Sequence, residues 1–495
     1  MIMQHSNFKT LWDDAMSFTN LKRINVEYSL NLKTTPNFGN SKSIERLSFR
    51  GCESLLKVHP SIRELSGLYD LDLKECINVK VSAETLGQSS ALTYLYLGYC
   101  SNLTQLPKQL GAMKGLSTFL ANGTAIEQLP DSFGDLINLE LLDLIGCENL
   151  RYLPNSLWKL KLLQELDLHM CSKLKRLPDK LEKMQCLQQL DASGTDIEEV
   201  PDSIGLLSRL RILNLSGCNK LKNLPDSVWN LPSLTQLYIF QTDMGRINVP
   251  ATVNNTKLLD LSLKCDVRVW LPVISSFSCL KSLVLCAGDE SLSSTEPFSL
   301  SMLHSLEFLE LYNCTNFGSS LPDLPLNISL LRLSGHERLV HLPDLSSLKR
   351  LKTLVIQRFI GLKSLSSLPP HLQLLRIYGC RSLQHLSGVS MLKELSDLSF
   401  GIYNIPKPAV SSFLQVLGLR KQFLRSNKVE LPKIAEWISY KSTGHSVCID
   451  IPTMPADNFL GLALSVLVRS KTGVTDFSIK AVVTNKTNGT ITGLK

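Results

Sequence analysis

Three aspartates, Asp143, Asp167 and Asp191, recur at intervals of 24 residues, and His169 stands two residues after the second of them. Carboxylates brought side by side can bind a hard cation, activate a water or attract a positively charged partner. A hard cation, however, wants roughly six or more oxygen ligands gathered in one local loop, and these aspartates are distant in sequence. No nucleophile–base pair is implied by the spacing of His169, Asp167 and the serines. Thirteen cysteines offer another chemistry. Eight of them, Cys52, Cys76, Cys100, Cys147, Cys171, Cys218, Cys314 and Cys380, occupy one recurring position. The odd total, that periodicity and the lack of a secretory signal in Met1–Thr10 favour reduced structural thiols over disulfides. Tyr94, Tyr96, Tyr99, Tyr238, Phe240, Phe308 and Tyr312 complete the informative set, because exposed aromatics are the usual energetic anchors of interfaces.

The element that must position these side chains is a repeat. Seventeen times between Leu21 and Phe400 the chain writes an apolar residue, two others, an apolar residue, one other and an apolar residue. The intervals are 21 to 26 residues, mostly 23 or 24. The alternation gives each unit a short strand with its leucines on one side. One unit cannot bury those leucines alone; stacking the strands at roughly 4.8 Å makes a continuous apolar interior. This periodicity is that of a leucine-rich repeat solenoid. The predicted fold is α/β: a horseshoe with a parallel sheet on its concave face, followed by a small β-sandwich-like domain. Leu153-Pro154 and then Leu157 predict a turn and a short helical return on the convex side, with proline at the first helical position. Prolines 107, 130, 154, 178, 201 and 225 share that place in consecutive units. Trp158 and Trp229 fall at equivalent convex positions and are read as core packing. Thr124 and Thr195 replace the cysteine in two units whose following loop is one residue shorter.

Residues 1–20 read as a truncated N-terminal repeat, residues 21–404 as about seventeen leucine-rich repeats, and residues 405–495 as a β-rich domain that ends early. In the last segment Ser446–Ile451, Phe459–Val468 and Thr475–Thr484 each read as a strand, and the domain would cover the exposed edge of the last repeat. The stretch Ala287–Ser299 reads as an inserted loop. Residues 401–495 hold 12 basic and 5 acidic residues, so seven of the eight net positive charges lie there. The nearly neutral repeat array speaks against general nucleic-acid binding; the tail permits an acidic partner, and a merely solvated surface explains it as well. No run reaches the ~18 consecutive apolar residues of a spanning helix. The expected compartment is the cytoplasm or the nucleus.

The run Leu144-Ile-Gly-Cys147-Glu-Asn-Leu150-Arg-Tyr-Leu153-Pro154 resembles the repeats of plant intracellular immune receptors, as does Asn122-Gly-Thr124-Ala-Ile126-Glu-Gln-Leu129-Pro130. The subfamily it is similar to carries an N-terminal Toll/interleukin-1-receptor-like domain and a central nucleotide-binding domain before the repeats. Gln4-His-Ser6-Asn-Phe8-Lys-Thr-Leu11-Trp12 resembles the start of that array, and Ala435-Glu436-Trp437-Ile438-Ser439-Tyr440 its post-repeat β-sandwich domain. No G-x-x-x-x-G-K-[ST] motif occurs, so the nucleotide switch of the family is not in this sequence, nor is its NAD-cleaving front domain. The resemblance implies a sensing role: binding pathogen effectors and holding a receptor inactive.

The residues between the leucines would face outward on the concave side. There Asp143, Asp167, Asp191 and His169 would form an acidic strip flanked by Tyr94, Tyr96 and Tyr99, by Tyr238 and Phe240, and further on by Phe308 and Tyr312. The expected partner is a protein with a basic patch, either an effector or the nucleotide-binding domain of a parent receptor. No cofactor, metal, small-molecule substrate, membrane or nucleic acid is expected, and no catalysis. Tyrosine's strand preference alone also places such residues there. Two other classes remain: a stand-alone scaffold or enzyme inhibitor, and a ubiquitin ligase, for which only Cys448 lies in the tail.

Overall fold

The computed structural model describes residues 1–12, 18–82, 86, 90–240, 242, 253, 255, 257–265, 267–287, 299–312, 321–335, 339–387, 392, 394–395, 397–401, 446–450, 461–468 and 477–484. They fall into two units, Met1–Lys264 and Cys265–Lys495.

The first unit is a ladder of short parallel strands: β1 (Arg23–Asn25), β2 (Arg46–Ser48), β3 (Asp70–Asp72), β4 (Tyr94–Tyr96), β5 (Thr118–Leu120), β6 (Leu141–Asp143), β7 (Glu165–Asp167), β8 (Gln189–Asp191), β9 (Ile212–Asn214), β10 (Gln236–Ile239) and β11 (Asp260–Cys265). Each pairs in register with the next, so Leu142, Leu166, Leu190 and Leu213 lie in one row. All four are fully buried, as are Leu144, Leu168 and Leu215, the third apolar member of their units. The sheet is held by bonds that skip from coil to coil: the Leu144 amide donates to the Asp167 carbonyl at 2.9 Å and the Leu168 amide to Asp191 at 2.7 Å. The core is thus the stack itself, and no coil has an interior of its own.

The return segments are 3-10 turns rather than α-helices, among them Asp131–Asp135, Asn155–Lys159, Asp202–Leu206 and Asp226–Asn230. In these four, proline does not occupy the first helical position, although Pro60 opens the turn Pro60–Glu64. Pro130, Pro154, Pro201 and Pro225 are caps with extended backbone, φ near −67° and ψ 143–153°. Their carbonyls accept the first turn bonds, as from Phe133 at 2.8 Å and Leu157 at 3.0 Å. The ring's fixed φ suits both sites, but a segment of five residues tightens into i to i+3 bonding. The two tryptophans hold the same place in their turns but differ in burial. Trp229 is 2% exposed, whereas Trp158 is only half-buried, with the Lys180 Nζ 5.5 Å above its ring.

In the first unit the ladder cysteines reach back one coil, whereas the Cys380 Sγ of the second unit bonds to Tyr378 in its own coil. The Sγ of Cys52 donates to the Val26 carbonyl (3.3 Å), Cys76 to Phe49 (3.1 Å), Cys147 to Ala121 (3.2 Å) and Cys171 to Leu144 (3.1 Å). Thr124 instead bonds within its own coil, to Ala121 at 2.8 Å, and Thr195 to Ala192 at 2.7 Å. Burial pushes the Cys52 thiol up to about 11 and the Cys100 thiol up to about 12. Thiolate is the reactive form. Among the described cysteines, Cys279, which is exposed, and Cys186, which is half-buried, are therefore expected to be alkylated by iodoacetamide in the native protein. Mass spectrometry should find the ladder positions unmodified until unfolding; rapid labelling of Cys147 or Cys171 would contradict their place in the stack.

The second unit opens with α1 (Val267–Ser276), whose Trp270, Val273 and Ile274, with Phe277 beyond it, are buried at helical spacing. Parallel strands follow: β12 (Ser282–Ala287), β13 (Phe308–Tyr312), β14 (Leu330–Ser334), β15 (Thr353–Gln357), a small pair β16 (Ser364–Leu365) and β18 (His385–Leu386), with β17 (Leu374–Tyr378) between them in sequence, then β19 (Asp397–Gly401). β20 (Ser446–Asp450), β21 (Gly461–Val468) and β22 (Phe477–Thr484) form an antiparallel meander, and β22 runs antiparallel along β19. The inserted loop at 288–298, Cys314 and the segment at 435–445 lie outside the described residues, as does the Cys448 side chain. Among the described residues no helix is long and apolar enough to cross a membrane.

Candidate functional site

The outer face of the first unit's sheet is built by the residues between the leucines. Asp143, Asp167 and Asp191 stand side by side on β6, β7 and β8, continued by Asn214 on β9 and Tyr238 on β10. On the other side the row runs through Leu120 and Tyr96 to Asp72. A parallel row places Tyr94, Thr118, Leu141 and Glu165 together. The Tyr94 and Tyr96 rings are parallel within 3°, with centroids 6.5 Å apart. Tyr94 is 37% exposed; Tyr96, Leu120, Leu141 and Ile145 are half-buried. These apolar neighbours of the tyrosines carry a signal in the sequence, namely apolar residues at positions where the pattern asks for polar ones.

Other predicted residues lie elsewhere. Tyr99 is on the turn after β4, at φ 59°, and is 52% exposed. Its ring fills the space beside Gly123, where an added Cβ would sit 2.8 Å from it, and Lys74 Nζ is 5.4 Å above it. Gly123 itself has φ 67°, a conformation that favours glycine. Phe240 follows β10 and is half-buried. Phe308 and Tyr312 are both on β13 of the second unit, with the Arg332 guanidinium 6.0 Å from the Phe308 ring.

The aspartates have a local reason to be where they are. Asp143 Oδ1 accepts the Ile145 amide (2.9 Å), Asp167 Oδ1 the His169 amide (3.0 Å) and Asp191 Oδ1 the Ser193 amide (2.9 Å). Asn25, Asp72 and Asn214 do the same in their coils. Each closes a turn from a side chain to the backbone two residues on, which ends the strand. Asparagine serves that role equally, so the charge at three adjacent coils is additional to it.

That charge is under strain. Burial pushes the Asp143 carboxyl up. Burial also pushes Asp167 up, to about 6; the His169 amide opposes this, while Asp191 and Asp143 add to it. Among the described residues none of Asp143, Glu165, Asp167 or Asp191 forms an ion pair. An unfolded aspartate titrates near ~3.9. Between about pH 4 and 6 the folded chain thus holds more protons at Asp167 than the unfolded one, and stability falls as pH rises through that window. Asp167→Asn, which keeps the turn acceptor, is expected to raise the melting temperature at pH 7 and to leave it unchanged at pH 4. Thermal scans across that range check this; a variant less stable than wild type at pH 7 would contradict it.

His169 Nδ1 lies 2.7 Å from Ser193 Oγ, whose hydroxyl donates to Asp191 Oδ1. Asn214 Nδ2 adds a bond to Asp191 Oδ2 at 2.8 Å. Ser193 is 4% exposed and its hydroxyl is committed to the carboxylate, so the histidine does not take its proton. The network ties three coils together rather than presenting a nucleophile. Among the described residues no group of three or more His, Cys, Asp or Glu is placed to hold a metal ion.

A family model described as "Leucine-rich repeat region" matches residues 46–175 and 168–266. TMV resistance protein N of Nicotiana glutinosa is 30% identical over 134 residues, 26% of this chain and 11% of that protein. Disease resistance protein RPP2A of Arabidopsis thaliana is 30% identical over 149 residues, 30% of this chain and 11% of that protein. The match thus spans 11% of the length of these relatives. Among solved structures, the Leptospira interrogans LRR protein LIC12759 is similar with a TM-score of 0.47 and 20% identity, covering 82% of this chain and 94% of that one. The ladder of in-register strands and the family-model match converge: residues 46–266 are a leucine-rich repeat region, and part of the chain is similar to plant disease-resistance proteins.

Proposed function

We propose that this chain is the protein-recognition module of a plant disease-resistance receptor, and that the outer face of the first unit's sheet takes a partner bearing a basic patch. The observation that supports it is the union of two features on adjacent strands: the stacked, accessible Tyr94 and Tyr96 with Leu120 and Leu141, and the carboxylates of Asp143, Glu165, Asp167 and Asp191 beside them, which form no ion pair among the described residues. Aromatic anchors ringed by complementary charge are the usual means by which an interface gains affinity and orientation. A pathogen effector or the nucleotide-binding domain of a parent receptor fits this chemistry, and the second would hold such a receptor inactive. The reading is non-enzymatic, and it sets the protein in the cytoplasm, with the nucleus as a second compartment. A stand-alone scaffold or inhibitor uses the same face without the immune role; coding sequence for a nucleotide-binding domain next to this one favours the receptor.

The experiment is selection of a random displayed-peptide library on the immobilised chain and on its Asp143→Asn, Asp167→Asn, Asp191→Asn variant. Asparagine preserves the turns, so lost binding reports charge alone. Wild type is expected to enrich peptides with Arg or Lys next to an aromatic or branched aliphatic residue, and the variant to lose that enrichment. Tyr94→Ala with Tyr96→Ala should weaken a selected peptide on the order of 30-fold or more, as loss of an interface anchor does. Equal selection by wild type and both variants would remove this face from consideration.

A further inference from the structure

The second unit contains a groove of about 540 Å³ along the edge where the strands β13, β14, β15 and β17 begin. Its centre is a single stretch of chain, Lys349-Arg350-Leu351-Lys352. Leu348 and Leu351 are buried, at 2% and 0% exposure, and thereby fix the backbone and turn the three cationic side chains outward. The stretch is fastened on both sides. The Lys352 and Thr353 amides donate to the Ser329 carbonyl at 2.8 and 3.0 Å, and the Lys352 carbonyl accepts from Gln373 and Leu374 at 2.8 and 2.9 Å.

The groove also holds two carboxylates, one at each end, and each is engaged. Glu307 pairs with Lys281 at 3.5 Å. Glu394 pairs with His371 Nδ1 at 2.7 Å, and that hydrogen bond holds its carboxyl below the usual range. Among the described residues none of Lys349, Arg350 and Lys352 forms an ion pair. The groove therefore presents three cationic side chains between two carboxylates, each already bonded to another side chain. The other lining residues include Ser329, Asn327 and Gln373, and no aromatic hydrocarbon or aliphatic residue is among them. Binding pockets for apolar ligands are lined mainly by hydrophobic groups; this one suits a compact, strongly charged anion. A guanidinium beside two ammonium groups matches a phosphate, since the Arg fork can bind two of its oxygens while the lysines neutralise the rest.

We propose that this groove binds the phosphate group of a phosphorylated ligand, with Arg350 as the two-pronged contact and Lys349 and Lys352 as the neutralising charges. The site is independent of the recognition face of the first unit. The same chemistry is offered by a free phosphorylated metabolite and by a phosphorylated lipid headgroup.

The test is calorimetric titration of the full chain with pyrophosphate at about 50 mM salt, where surface charge is weakly screened. Vesicles carrying phosphomonoester headgroups, compared with vesicles of neutral lipid, form the second arm. One saturable site is expected. Its affinity should fall on the order of tenfold in Arg350→Gln, and further in Lys349→Gln with Lys352→Gln, consistent with loss of charge-assisted hydrogen bonds. Lys57→Gln, an exposed lysine of the first unit, should change nothing. All the substituted side chains are exposed, so melting temperatures should match wild type and report intact folding. Binding of pyrophosphate in solution assigns a free ligand; binding seen only on phosphorylated vesicles, and lost in the same variants, assigns a lipid headgroup. Failure of both probes to bind, or binding that survives all three substitutions together, overturns the proposal. Neither result bears on the peptide selection against the first unit, where the triple asparagine variant leaves this groove intact.

Discussion

Leu166→Ala is expected to lower the stability of the first unit by about 2–5 kcal/mol, the range for emptying a fully packed leucine site. Leu166 has no exposed surface and lies in register between Leu142 and Leu190, both equally buried. Its methyl groups therefore support three coils, and the surrounding backbone is fixed by bonds between coils, so the cavity has little freedom to collapse. The midpoint of urea unfolding, at unchanged slope, measures the loss. A loss below about 1 kcal/mol would mean that the site is not packed as a core site. The outward neighbour Glu165 is exposed and in the same strand. Its replacement by Gln should fall within about 0.5 kcal/mol of wild type, as surface changes do.

The second large effect is expected at Gly134. It lies in the 3-10 turn Asp131–Asp135, against the turn of the next coil. A Cβ there would press on the Ser156 carbonyl oxygen and lie 2.6 Å from its carbon. That obstacle is backbone of the next coil and cannot rotate away, so the stack itself must open. Gly134→Ala should cost about 1–3 kcal/mol or more, the usual penalty of overpacking. Gly67→Ala is the matched comparison, since its nearest obstacle, the Ile44 carbonyl oxygen, is at an ordinary 3.7 Å. It should be neutral or slightly stabilising, because alanine restricts the unfolded chain. Equal effects at both positions would show that the coils are spaced more loosely than described.

The strands were legible because their signal is redundant: the alternation of leucines repeats in unit after unit, and an error in one is corrected by its neighbours. Strand positions such as Leu141–Asp143 and Glu165–Asp167 follow directly from it. The return segments were less legible. Leu-Pro-x-x-Leu marks where the chain turns, but the choice of 3-10 over α geometry depends on how few residues remain before the next strand. The tryptophans show a similar limit: Trp158 and Trp229 occupy the same place in their turns, yet only Trp229 is covered by its surroundings. The helix Val267–Ser276 was not legible, because Pro272 inside it reads as a break although Trp270, Val273 and Ile274 have helical spacing.

The outer face divides in the same way. That Asp143, Asp167 and Asp191 form a row could be read from their spacing. That their carboxylates also close the turns could not, because aspartate at that place satisfies two explanations at once: charge for a partner and an acceptor for the amide two residues on. Lysine at these positions would remove both. Asparagine separates them, which is why it serves in the tests above. Leu120 and Leu141, lone apolar residues between leucines, carry little information until register sets Leu120 beside Tyr96 and Leu141 beside Thr118, the partner of Tyr94. Tyr99 stands on the turn after β4 rather than on the strand that carries Tyr94 and Tyr96.

The central claim is that the coils of the first unit have no interior except the one they share. Hydrogen exchange at single amides tests it most directly, in wild type and in Leu166→Ala. The amides of Leu144, Leu168 and Leu215 each donate to the coil that follows, to Asp167, Asp191 and Tyr238. The account predicts strong protection of all three in wild type. In Leu166→Ala it predicts faster exchange at Leu144, which lies in the preceding coil, as well as at Leu168. Exchange in the variant that changes only within Glu165–Leu168, or wild-type amides that exchange as fast as an unfolded chain, would contradict it.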